Sequence, residues 1–206
     1  MRILITAGPT REPIDAVRYL SNRSSGKMGL ALAQAASQAG HQVTLLLGPV
    51  GDVTLSAAIS INRFESCEDL QKLLTEHWPS HDLLIMAAAV ADYRPIVVQQ
   101  GKISRDQALT LALEPTADLV KEAALNKQKN QHVVAFALEE PKVLLHRATQ
   151  KMHRKGVDAI VANPLQTMDS TNISAIWITA SGIQKNMQTM DKMDFARDLI
   201  NLATAL

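Results

Sequence analysis

A chain of 206 residues is long enough to enclose a substantial core and fits a single domain spanning 1–206. Its 21 Lys and Arg against 20 Asp and Glu leave a formal charge of +1, which excludes a general nucleic-acid or membrane-surface binder, so any anion site must be local. Cys67 is the only cysteine, which excludes an internal disulfide and a multi-cysteine zinc site and fits a reducing cytoplasm.

Met1 and Arg2 run straight into an apolar strand, Ile3 to Thr6, without a signal-peptide pattern, and no apolar run approaches transmembrane length. The expectation is a soluble, cytoplasmic protein. Turn chemistry follows at Gly8-Pro9, and then a long polar insertion reaches Gly26-Lys27-Met28-Gly29 before helical periodicity sets in over Leu30 to Ala39. A nucleotide fold passes from its first strand to its first helix in a handful of residues, so the insertion points to a ligand. Ser24 and Ser25 occupy the expected N-cap positions, where free backbone N–H groups and about half a unit of helix-dipole charge favour an anion, and Lys27 adds a formal charge. The spacing is neither G-x-x-x-x-G-K-[ST] nor G-x-G-x-x-G. Gly26 and Gly29 suit close helix-to-strand packing as well as phosphate binding; the polar insertion favours the second.

His41 to Gly48 reads as a second buried strand and Ala57 to Phe64 as a third, followed by a helix over Cys67 to His77 and an almost wholly apolar fourth strand, Asp82 to Ala88. Such apolar runs alternating with helices predict an α/β fold, a Rossmann-like, mostly parallel sheet with helices on both faces. The segment Ala89 to Pro95 then lies past the carboxyl end of a parallel strand, where open sheets place ligands, and Asp92 serves there either as a turn cap or as a contact. Ile96 to Ala108 is an exposed excursion pivoting on Gly101, and with a short strand over Leu109 to Leu113 it forms a protruding flap or simply a solvated surface. A helix over Asp118 to Asn126 offers its N-terminus as a second anion or base-edge site. His132 to Leu138 is another buried strand, in which Phe136 packs in the core. The helix from Lys142 to Gly156 ends in Lys151, Arg154 and Lys155, with Lys151 and Lys155 on one face. Asp158 to Ala162 and Asn172 to Thr179 supply further strands, and Phe195 to Leu206 a closing helix. The six histidines show no metal-ligand spacing.

Three stretches carry a resemblance: ITAGPTREPIDAVRYLSNRSSGKMG from Ile5 to Gly29, AAAVADYR from Ala87 to Arg94, and the flap pair Lys102-Ile103. They resemble the signatures of the phosphopantothenate-cysteine ligase family of coenzyme A biosynthesis. The resemblance implies that the carboxylate of 4′-phosphopantothenate attacks the α-phosphate of a nucleoside triphosphate, and that the cysteine amine then displaces the nucleotide from the acyl carbon. It implies Asn22 as the ligand of the pantothenate carboxylate, Lys102 as the flap lysine that reaches the triphosphate, and Ser24, Ser25, Gly26, Lys27, Ala88, Ala89 and Asn163 as substrate contacts; Arg18, four residues before Asn22, is placed to clamp a carboxylate or a phosphate. Asp92, Ala117, Asp118, Phe136, Lys151 and Lys155 would bind the nucleotide.

Thr116-Ala117-Asp118 stands where bacterial relatives carry Asn-Pro-Asp, and Leu138-Glu139-Glu140 matches only in part. The second signature and the basic helix look bacterial, which implies CTP as co-substrate. The resemblance further implies a homodimer, with Mg2+ helping the lysines to balance the triphosphate, and because the sequence opens directly on the ligase signature, a separate decarboxylase is expected to act next. Two other classes compete. A nucleotide-binding or sensing module of the same fold would need neither the polar insertion nor the flap lysine. An NAD(P)-dependent reductase lacks its glycine motif and an acidic residue after Leu47-Gly48-Pro49.

Overall fold

The computed structural model describes residues 1–105, 108–167 and 170–206. In chain order it contains β1 (Arg2–Ala7), β2 (Arg11–Pro13), β3 (Tyr19–Ser21), α1 (Lys27–Gln38), β4 (Gln42–Leu47), β5 (Ile59–Arg63), α2 (Cys67–His77) and β6 (Leu83–Met86). There follow β7 (Tyr93–Pro95), β8 (Leu113–Pro115), α3 (Leu119–Leu125), β9 (His132–Glu139), α4 (Leu144–Lys155), β10 (Ala159–Pro164), β11 (Asn172–Thr179), β12 (Gln184–Asp191) and α5 (Lys192–Ala203).

Eight strands form one sheet in the order β5-β4-β1-β6-β9-β10-β11-β12. The pairs from β5 to β10 are parallel, and β11 and β12 are added antiparallel. Because β1 lies between β4 and β6, the chain winds away from it in both directions. That is the arrangement which opens a crevice at the carboxyl ends of β1 and β6.

The strands alternate between two cores. Ile3, Ile5 and Ala7 of β1 pack with α1 and α5 on one face, whereas Leu4 packs with α2, α3 and α4 on the other. Burial of both faces explains the unbroken apolar runs, since a strand covered on both sides has no polar face to show.

Local chemistry sets several boundaries away from the sequence expectation. Ser24 and Ser25 do not cap α1: the N-cap is Gly26 at φ 72°, without a side-chain cap bond, and the helix begins at Lys27 rather than Leu30. A left-handed cap needs glycine, and Gly26 also lies against the backbone of Gly8. Helix α5 begins at Lys192 rather than Phe195, because Asp191 accepts from the amides of Met193 and Asp194 at 2.8 and 3.1 Å. The strand expected over Leu109 to Leu113 starts only at Leu113 and runs to Pro115; the flap's foot is the pairing of β7 with β8, Tyr93 opposite Pro115 and Pro95 opposite Leu113. Asp106 and Gln107, inside the expected excursion, lie outside the described residues.

Candidate active site

At the carboxyl ends of β6, β9 and β10, beside the start of α1, lies a cleft of about 840 Å³, a size suited to a small-molecule site. One wall is the start of α1 with the polar segment before it, Asn22 to Gly29. Gly29 permits this wall to stand close: a Cβ there would lie 2.4 Å from the Cβ of Ala7. The glycine therefore serves packing and site together, because close approach of helix to strand sets the first-turn amides at the cleft.

A second wall is the segment after β6. Its backbone is fixed by the end of β1 and the turn after it: the amide of Ala88 donates to Thr6 Oγ1 at 3.0 Å, that of Ala89 to the Gly8 carbonyl at 2.9 Å, and that of Ala91 to Thr10 Oγ1 at 3.0 Å. Ala88 and Ala89 thus spend their N–H groups inside the protein, and their small side chains keep the wall low. Asn22 belongs to the same net. Its Nδ2 donates to the carbonyls of Ala89 and Val90 at 3.3 and 2.9 Å. The amide that the sequence offers to a substrate oxygen is here engaged in holding that backbone.

The third wall is cationic. Lys151, Arg154 and Lys155 of α4 line the cleft, and Lys192 reaches it from the start of α5. Burial, then the neighbouring charge of Lys155, pushes the Lys151 ammonium down from its usual value, while Glu139 and Asp92 pull it back up. An anion in the cleft would relieve that cost. Lys155 Nζ donates to Asp118 Oδ1 at 2.8 Å, and the same carboxylate accepts from the Lys121 amide at 3.1 Å as the cap of α3. Burial raises the Asp118 carboxyl, but Lys155 and the Lys121 amide hold it below its usual value on balance. The start of α3 is accordingly no second anion site, because its own Asp118 occupies it.

Thr116 donates to the Ala91 carbonyl at 2.6 Å and so joins α3 to the second wall. Phe136 both packs on the core and lines the cleft. Asn163 lines it too and donates to Thr167 Oγ1 at 2.9 Å.

The cleft gathers Asn22, Ser24, Ser25, Gly26, Lys27, Ala88, Ala89, Asp92, Ala117, Asp118, Phe136, Lys151, Lys155 and Asn163. Arg18 and Lys102 are not on its wall: Arg18 donates to the Ile103 carbonyl at 2.8 Å and lies 3.5 Å from Asp15, and Lys102 is exposed on the flap. Arg23, Arg154 and Lys192 line it without having been assigned from sequence. Arg154 was legible, being three residues from Lys151 on one helix. Lys192 is not, because β12 before it buries only Met187 and shows no apolar pattern.

Among the described residues, no group of three or more His, Cys, Asp or Glu could hold a metal ion. No described helix is long and apolar enough to cross a membrane.

A family model described as the DNA/pantothenate metabolism flavoprotein C-terminal domain matches residues 1–206. Curated relatives include a cysteine/cysteine sulfinic acid decarboxylase of an unknown prokaryote, 43% identical over 80% of this chain and 46% of that protein. Another is the coenzyme A biosynthesis bifunctional protein CoaBC of Bacillus subtilis, 36% identical over 99% of this chain and 51% of that one. The chain thus spans about half the length of the curated relatives it matches. A crystal structure of the C-terminal domain of a CoaBC protein superposes with a TM-score of 0.84 at 33% identity, covering 98% of this chain and 92% of that domain.

Proposed function

We propose, for a chain that belongs to the DNA/pantothenate metabolism flavoprotein C-terminal domain family, that it joins 4′-phosphopantothenate to L-cysteine at the expense of CTP. The observation that carries this reading is the pairing of two unlike walls across one cleft: an uncapped helix start with Asn22 on one side and the Lys151, Arg154 and Lys155 cluster on the other. Two anionic reactants, a phosphorylated acid and a triphosphate, need two such regions.

In this reading a carboxylate oxygen of phosphopantothenate attacks the α-phosphorus of CTP. The bond from that phosphorus to the bridging oxygen breaks, and pyrophosphate leaves. The cysteine amine next attacks the acyl carbon, its proton departs, and the bond from that carbon to the shared oxygen breaks to release CMP. Activation is needed because a carboxylate is a poor electrophile. The chain's own residues supply position and charge, which is what phosphoryl chemistry asks of a protein. The free amides at the start of α1 and Lys27 bind the substrate's anionic end. Asn22 holds the Ala89-Val90 backbone against which the reacting carboxylate lies, and turning its amide would offer Nδ2 to that carboxylate. Lys151, Lys155 and, from the flap, Lys102 balance the triphosphate.

Magnesium keeps most of its waters and binds through one or two carboxylates plus substrate phosphates, so Asp92 in the cleft wall is a fitting donor from this chain. The ion would neutralise charge on the departing pyrophosphate. Arg18, a candidate clamp for a carboxylate or a phosphate, would have to leave Asp15 and Ile103 to act there. A homodimer, and a decarboxylase acting next on the product, belong to the same proposal.

The test is to incubate the protein with phosphopantothenate, cysteine and magnesium, with CTP and ATP supplied separately. Ligated product and pyrophosphate with CTP and little with ATP is the expected result. Product with ATP alone overturns the choice of nucleotide, and no product with either, in a folded protein that binds nucleotide, favours the sensing-module reading.

A further inference from the structure

Between β2 and β3 the chain turns through Ile14 to Arg18, and this turn is tied to the flap 88 residues further on. The tie brackets Lys102. The Gln99 amide donates to the Ile14 carbonyl at 3.0 Å, and the Ala16 amide donates to the Gly101 carbonyl at 3.1 Å. On the other side of the lysine, the Ile103 amide donates to Asp15 Oδ2 at 3.0 Å and its carbonyl accepts from Arg18 Nη2 at 2.8 Å. Both peptide neighbours of Lys102 are therefore fixed while its own side chain stays exposed.

Asp15 is the centre of this bracket. Its side chain has 0% exposure. Oδ1 builds the local turn by accepting from the amides of Val17 and Arg18 at 2.8 and 2.7 Å. Oδ2 is turned outward to Ile103, with Arg18 Nη1 3.5 Å away to balance its charge. The Ile103 amide is also the largest of the influences that hold this carboxyl below its usual value. One oxygen is thus local and the other long-range, a division of labour that a turn residue alone would not need.

We propose that Asp15 is a positioning residue for Lys102, setting through Oδ2 the flap segment from which that ammonium serves the triphosphate. This rests on the ligase reading, in which Lys102 reaches the nucleotide. Arg18 joins Asp15 in the same strap, charge against charge.

The experiment compares the unaltered protein with Asp15→Asn, Lys102→Gln and the double variant. Asparagine keeps an acceptor for the Val17 and Arg18 amides but sets an NH2 against the Ile103 amide, so the turn persists and the strap is cut. Loss of a hydrogen bond to a charged group should speed exchange of the Ile103 amide, and tryptic cleavage after Lys102, by roughly tenfold or more. Unchanged exchange and cleavage would overturn the proposal, and this arm needs no turnover. In the ligase assay Asp15→Asn should lower kcat, and the double variant should be no slower than Lys102→Gln. Losses that multiply would show Asp15 acting through the fold at large and would overturn the proposal. Full activity of Lys102→Gln would overturn it too, by removing the group it positions, whereas no turnover by the unaltered protein would fail the ligase reading and leave the exchange arm to decide the strap. Should Asp15→Asn not fold, Asp15→Ser keeps a hydroxyl acceptor for the local turn but is too short to reach the Ile103 amide; the same loss of kcat is expected, and wild-type turnover would contradict the assignment.

Discussion

Replacing Gly29 by alanine perturbs the closest contact between the cleft and the core. The added Cβ would lie 2.4 Å from the Cβ of Ala7, 2.9 Å from its Cα and 3.1 Å from the Thr6 carbonyl oxygen. Carbon atoms pack at about 3.5–4.0 Å, so helix and strand must part by roughly 1 Å or more. Ala7 has 0% exposure and is held in register by β4, so the helix has to move. Overpacking costs about 1–3 kcal/mol, and alanine returns at most about 1 kcal/mol of helix propensity. With the backbone clash at the upper end, the net loss is about 1–2 kcal/mol, a fall in Tm of roughly 2–8 °C for a chain of this length. The same displacement carries the first-turn amides of α1 away from the cleft, where the helix dipole acts only over its first turn, and phosphopantothenate affinity should fall as well. Calorimetry and ligand titration read the two effects. Gly51→Ala, with nothing within 4 Å of its Cβ, is the control and should change neither. A Gly29→Ala protein as stable as its parent and binding as tightly would refute the argument that this glycine sets the site.

Three further outcomes follow from the geometry. Asn22→Asp sets a carboxylate against the Ala89 and Val90 carbonyls in place of a donor, so turnover should drop severalfold or more by steady-state assay; unchanged kinetics would remove Asn22 from the site. Lys151→Met removes an ammonium whose folded pKa lies below its unfolded value of 10.5, and such a charge costs stability at any pH where both states are protonated. The variant should therefore melt higher than the parent at pH 7, with a gap that closes as the pH rises toward that value, while nucleotide affinity falls; a lower Tm at pH 7 would contradict this. Asp118→Ala should cost about 1 kcal/mol through loss of the α3 cap, whereas Asp118→Asn keeps the acceptor and should cost less, so equal melting losses would place the role of Asp118 in its bond to Lys155 instead.

Where burial wrote the pattern, the sequence was legible. The apolar runs of β1, β4, β6 and β9 announce a sheet covered on both faces, and α2 is bounded as expected because Ser66 and Asp69 form a reciprocal cap at its start. Strand β12 was illegible for the opposite reason. Only Met187 among Gln184–Asp191 is buried, and this edge strand is held by its ladder with β11 rather than by an apolar face. The β2–β3 pair carries no legible pattern either, each strand being three residues long. At the site, residues on regular elements, Lys151 and Lys155 above all, could be placed from helical spacing. The long-range partners of Asn22, Asp15 and Arg18 could not, since they lie 67 to 88 residues away along the chain. No local pattern encodes such contacts.

The most direct test of the proposed chemistry follows one oxygen. Phosphopantothenate labelled with 18O in its carboxylate is turned over with CTP, magnesium and cysteine, and the products are weighed by mass spectrometry. Attack of the carboxylate on the α-phosphorus predicts one 18O atom in each CMP released and none in pyrophosphate. Label in inorganic phosphate, or CMP without label, would contradict an acyl-cytidylate and with it the path of activation assigned to this cleft.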